Sequence, residues 1–89
     1  MPLIDKTLTE REKTYGPFKG QARITQDLKR DLRAWSGWEA LRDDQREALD
    51  MIVSKIARIL NGDPDCIDSW HDIAGYSTLI ERRLSSPKS

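Results

Sequence analysis

Eighty-nine residues with fifteen basic and fifteen acidic side chains read as one small domain of zero net charge. Such a chain has no overall field to recruit nucleic acid or an anionic membrane. Its single cysteine, Cys66, allows no intrachain disulfide, and one Cys with one His cannot assemble the usual structural zinc ligand sets. No apolar run has the length of a membrane span or the make-up of a signal peptide, so a cytoplasmic protein is expected. A core this small gains stability from oligomerisation, which is expected as well.

In chain order, residues 1–6 read as a flexible lead-in. Thr7 and Glu10 have capping-box spacing and predict a short helix from Thr7 to about Thr14. Gly16 and Pro17 stop it, because proline has no N–H to donate. Tyr15-Gly16-Pro17-Phe18 is then expected as an extended turn, and Gly20 frees the chain to begin again. From Gln21 to Trp35, apolar residues recur at Ala22, Ile24, Leu28, Leu32 and Trp35, which is helical spacing. Arg23, Asp27, Lys29, Arg30, Asp31 and Arg33 fill the other face. Their mixed signs favour local pairing in water over a continuous nucleic-acid stripe. Ser36-Gly37 ends this helix, and Trp38 and Leu41 anchor a short linker.

The third helix is predicted over Asp43–Leu60. Ala48, Leu49, Ile52, Val53, Ile56, Ile59 and Leu60 make its apolar face. Glu47, Asp50, Ser54 and Arg58 lie opposite, with Lys55 at the border. Gly62 is placed to end it, and Asp65 to cap a fourth helix over Cys66–Leu84. That helix is apolar at Ile67, Trp70, Ile73, Ala74, Leu79, Ile80 and Leu84. Gly75 in its interior costs about 1 kcal/mol relative to alanine, and marks either a close helix–helix approach or access for a ligand. Residues 85–89 read as a disordered tail. No segment alternates with a period of two. The expected fold is all-α: a compact bundle of three main helices plus a short N-terminal one, over residues 7–84.

The turn Asn61-Gly62-Asp63-Pro64-Asp65 predicts an antiparallel hairpin that brings polar side chains of the last two helices face to face. Asp68, Asp72 and Tyr76 follow one another at steps of four. Carboxylates at that spacing repel unless a cation sits between them. The cation is either a basic side chain or a divalent metal, to which Glu47 and Asp50 add further oxygens. Mg²⁺ suits a few carboxylates completed by waters and substrate phosphates. In the structural alternative, Lys55, Arg58, Arg82 and Arg83 pair with the same acids. Tyr15 and Phe18 either plug the bundle end or stack a base, with Lys19 or Arg23 on phosphate. His71 reads as a surface or partner contact, Cys66 as a small residue at a helix start, and Trp35, Trp38 and Trp70 as core or interface.

Several stretches resemble a family of small phage and prophage helical proteins. They are Glu10-Arg11, Thr14-Tyr15-Gly16 with Phe18, Gln45 to Ile52, Lys55 to Asp63, and Asp68 to Tyr76. The chain also looks similar to phage nucleotide-modification-associated domains and, more distantly, to MazG-like all-α nucleoside triphosphate pyrophosphohydrolases. The resemblance implies action in nucleotide metabolism in the host cytoplasm, with Mg²⁺ or Mn²⁺ against the phosphates of a (deoxy)nucleoside triphosphate. Glu47, Asp50, Asp68 and Asp72 would be the metal ligands. Lys55, Arg58, Tyr15 and Tyr76 would hold the substrate. The acid pairs read Glu-x-x-Asp and Asp-x-x-x-Asp where MazG-like enzymes show Glu-x-x-Glu and Glu-x-x-Asp. The alternative is a non-enzymatic accessory protein that binds a host protein or sequesters a small ligand.

Overall fold

The computed structural model describes residues 2–86, which form helices and turns only. In chain order these are α1 (Pro2–Tyr15), α2 (Phe18–Arg33), a 3-10 turn (Ser36–Ala40), α3 (Asp43–Asn61) and α4 (Ile67–Ser85). The expected all-α class is present, as four helices packed together. α3 is the central element: α2 and α4 both pack on it, while α1 touches α2 and α3 lightly. Ala48, Val53 and Ala57 are the buried apolar residues of α3, and the two alanines let neighbouring backbones come close.

Trp38 is the buried aromatic of the 3-10 turn. The guanidinium groups of Arg33 and Arg46 lie 4.5 and 5.9 Å from its ring centroid, a favourable arrangement for a cation against a π face. Trp35 and Trp70 are exposed instead, and the Trp70 indole N–H donates to Pro64 O at 2.8 Å.

α1 starts at Pro2, which absorbs most of the expected lead-in and overrides a start at Thr7. Proline is preorganised for the first helical position, where no N–H is needed. Thr7 is therefore interior, and its Oγ1 donates to Leu3 O at 3.0 Å. α2 starts at Phe18 because Pro17 sits in extended backbone at its N-cap, with φ −60 and ψ 134. The junction between α1 and α2 is confined to Gly16, whose φ of 76 lies in the region that favours glycine, and Pro17. Cys66, not Asp65, caps α4, while the Asp65 N–H donates to Asp63 Oδ1 at 2.9 Å. The expected disordered tail falls partly on Ser85, the last residue of α4, and partly on residues 87–89, which lie outside the described residues.

Candidate functional site

The predicted hairpin of α3 and α4 forms, and two ion pairs fix its register. Arg83 Nη2 donates to Asp44 Oδ1 at 3.1 Å, and Lys55 Nζ lies 3.2 Å from Asp72 Oδ2. The steps from 44 to 55 in α3 and from 83 to 72 in α4 are equal, as an antiparallel pair of regular helices requires. The Arg83 hydrogen bonds hold the Asp44 carboxyl below the usual aspartate range. Lys55 is buried, with only 8% of its surface exposed. The cation relieving Asp72 is therefore a side chain of the facing helix.

The four acids expected to bind metal do not converge. Asp50 turns to α2, where Arg33 Nη2 donates to its Oδ2 at 2.8 Å, and this bond holds the Arg33 guanidinium above its ordinary pKa. Its other oxygen, Oδ1, is buried without a hydrogen-bond partner. Glu47 is exposed and lines a shallow hollow with Asp44, Ala48, Tyr76, Leu79 and Arg83. Asp68 is exposed in the first turn of α4. Among the described residues, no group of three or more His, Cys, Asp or Glu side chains is placed to hold a metal ion. The expected ligands Glu47, Asp50, Asp68 and Asp72 are therefore not gathered at one point. Glu47 and Asp50 serve different helices, and Asp50 and Asp72 are each taken by a cation. The donor set does not fit Mg²⁺, which needs several oxygens free to point at one centre.

The expected substrate residues are dispersed in the same way. Arg58 lies over the Tyr15 ring, 4.5 Å from its centroid, and Arg11 is 5.2 Å from the same centroid. Tyr15 and Arg58 thus meet each other, while the Arg58 Nε is buried without a hydrogen-bond partner. Lys55 is spent on Asp72. Tyr76 is half-buried between the Glu47 hollow and a larger open one of about 520 Å³ on α4. The larger hollow is lined by His71, Asp72, Gly75, Leu79 and Arg82 among others, all of them from α4. A Cβ added at Gly75 would meet nothing within 4 Å. Gly75 is therefore no close approach within this chain.

The most closely built junction was not among the sequence candidates. Asn61 ends α3 and its Nδ2 donates to Tyr15 O at 2.9 Å and to Pro17 O at 2.8 Å. The Asp63 N–H donates to Thr14 O at 2.7 Å. Gly16, Gly20 and Gly62 surround this contact. A Cβ at Gly16 or Gly20 would run into Asn61, and one at Gly62 would overlap the backbone of Thr14 and Tyr15. The only sequence sign was three glycines near the helix junctions, since no local spacing connects Asn61 to Tyr15.

Comparison with known proteins finds no matching family model, no matching curated protein and no matching solved structure.

Proposed function

We propose that the protein acts without catalysis, by binding another protein, as in the accessory alternative to the nucleotide reading. The observation behind this reading is a contrast. Asp50 and Asp72, which would have to free their oxygens for a metal, are held in ion pairs, while large apolar side chains of α1 and α2 stand in solvent. Leu3, Ile4 and Leu8 of α1 are exposed, and Phe18 at the start of α2 keeps 77% of its surface accessible. Leu8, Phe18, Arg11 and Glu12 line a groove of about 290 Å³ between the two helices. An apolar floor with a charged rim suits an amphipathic helix of a partner. A formal net charge of zero gives nucleic acid no comparable attraction.

The test has two arms. Calorimetric titration with the common deoxynucleoside triphosphates, with and without Mg²⁺ or Mn²⁺, is expected to show no saturable heat. In cells, a photoreactive side chain at Gln21, beside the groove, is expected to cross-link one discrete foreign protein. Leu8→Asp with Phe18→Asp should abolish that product and leave the circular dichroism spectrum unchanged, because both side chains are exposed. A saturable, metal-dependent heat of nucleotide binding would overturn the proposal.

A second reading keeps the nucleotide. The hollow on α4 gathers Tyr76, expected at the substrate, and Asp72, expected at the metal, with His71 and Arg82. There the basic groups would meet phosphate without a metal. Saturable heat that is independent of divalent ions would favour it.

A further inference from the structure

α4 is an edge helix. It packs on α3, and the flank beside that contact carries the hollow around Gly75. On that side, Asp68, Asp72, Gly75, Leu79 and Arg82 follow one another at alternating steps of four and three, the period of a coiled-coil seam. Leu79 is 60% exposed and lines both hollows, so it stands as a ridge between them. Gly75 lies one turn away, with open space where a side chain would be.

We infer that this face of α4 is a homodimer interface, in which a second copy of the chain packs its own α4 antiparallel across a two-fold axis at the level of Ser77. Closed dimers bury the same patch of both subunits, so the patch must complement itself. This stripe does so at two levels. With the axis at Ser77, Leu79 of each copy faces Gly75 of the other, a projecting side chain against an empty position. Asp72 faces Arg82 of the other copy, an anion against a cation, twice. Asp72 is bound to Lys55, yet 43% of its side chain is exposed, which leaves room for a second cation. In a parallel pairing Asp72 would meet Asp72 and Leu79 would meet Leu79, so the charges select the antiparallel arrangement.

The available surface agrees. The chain exposes 6758 Å², where a compact monomer of its mass exposes about 5,400 Å². This surplus, spread over the whole elongated chain, exceeds the roughly 800 Å² that each partner gives to an ordinary specific interface. This inference does not rest on the proposed partner groove, which lies on α1 and α2. A dimer of this kind closes the α4 hollow, so it excludes the nucleotide reading there.

Sedimentation equilibrium of the full chain over a wide concentration range tests the proposal. The expected species has twice the chain mass of 10.3 kDa. Gly75→Leu is the informative variant, because the added side chain meets nothing in the isolated chain and should not lower its melting temperature. It should nevertheless raise the dimer dissociation constant at least about tenfold, by blocking the seat of Leu79. Leu79→Ala combined with Gly75→Leu exchanges projection and recess between the copies and should recover much of the dimer. Arg82→Glu places like charges opposite each other and should weaken association, more at low salt than at high. A chain that stays monomeric at every concentration would overturn the inference. So would a dimer, or a larger oligomer, that is indifferent to Gly75→Leu and Arg82→Glu.

Discussion

Asn61 joins two helix junctions that are 46 residues apart in sequence, by donating to the carbonyl of Tyr15 and, nearby, to that of Pro17. Asn61→Ala leaves both carbonyls without this donor. It should lower stability by about 1–3 kcal/mol, measured as a shift of the urea midpoint at constant slope. Gly16→Ala should be at least as damaging, because it adds left-handed strain to the overlap with Asn61. Gly75→Ala has the opposite sign. At concentrations low enough to keep the chain monomeric, it should raise stability by about 1 kcal/mol, since nothing opposes the added methyl. Acid sensitivity belongs to single residues too. The folded state keeps Asp44 ionised below its ordinary value of 3.8. The resulting stabilisation is complete above that value and disappears as pH falls through the lower folded value. In melting curves, Asp44→Asn should therefore be less stable than the natural chain at neutral pH and converge with it at strongly acidic pH.

The α3–α4 seam behaves as a structural element. Asp72→Asn leaves the buried Lys55 ammonium without its anion and should cost about 1–3 kcal/mol, with native helix content retained below the transition. Lys55→Met removes the buried charge and its need for a partner, so it should be the milder change. A metal ligand would show a different pattern, with Asp72→Asn affecting ligand binding and leaving stability alone. The hairpin itself was legible in the sequence. α3 begins at the predicted Asp43, and its last residue falls one past the predicted end, because a broad apolar face and a Gly-Pro-containing turn bound it clearly. α1 was read too short, since Thr7 and Glu10 imitate a helix start that Pro2 makes unnecessary. The roles of the acids were not legible. Periodicity gives the angle of a side chain about its own helix, but the partner of Asp50 is Arg33, on a helix whose placement no local spacing fixes. Trp35 falls on the predicted stripe of α2, yet that helix stops at Arg33 and leaves the ring in solvent.

The whole molecule is elongated, measuring 50 × 27 × 25 Å, and its radius of gyration of 15.4 Å exceeds the roughly 12 Å of a compact domain of this length. The shape follows from α3 carrying α2 and α4 as separate layers while α1 lies loosely at one end. α1 has no buried residue, so its first turns should open easily. In hydrogen exchange, the amides of Leu3 to Glu10 should exchange early, and those of Val53 to Ala57 in α3 last. Uniform protection along α1 would mean that the helix is covered in solution, as by a partner or another copy. A thin bundle with exposed apolar faces suits association. Binding a divalent ion requires several acids at one point, and the charge distribution of this fold sends Asp50 to Arg33 and Asp72 to Lys55 instead. Electron paramagnetic resonance of Mn²⁺ titrated with the protein reads that difference directly. The free-ion signal is expected to persist undiminished at protein concentrations well above that of the metal. A stoichiometric loss of the signal that Asp72→Asn or Asp50→Asn restores would contradict the assignment of these carboxylates to ion pairs.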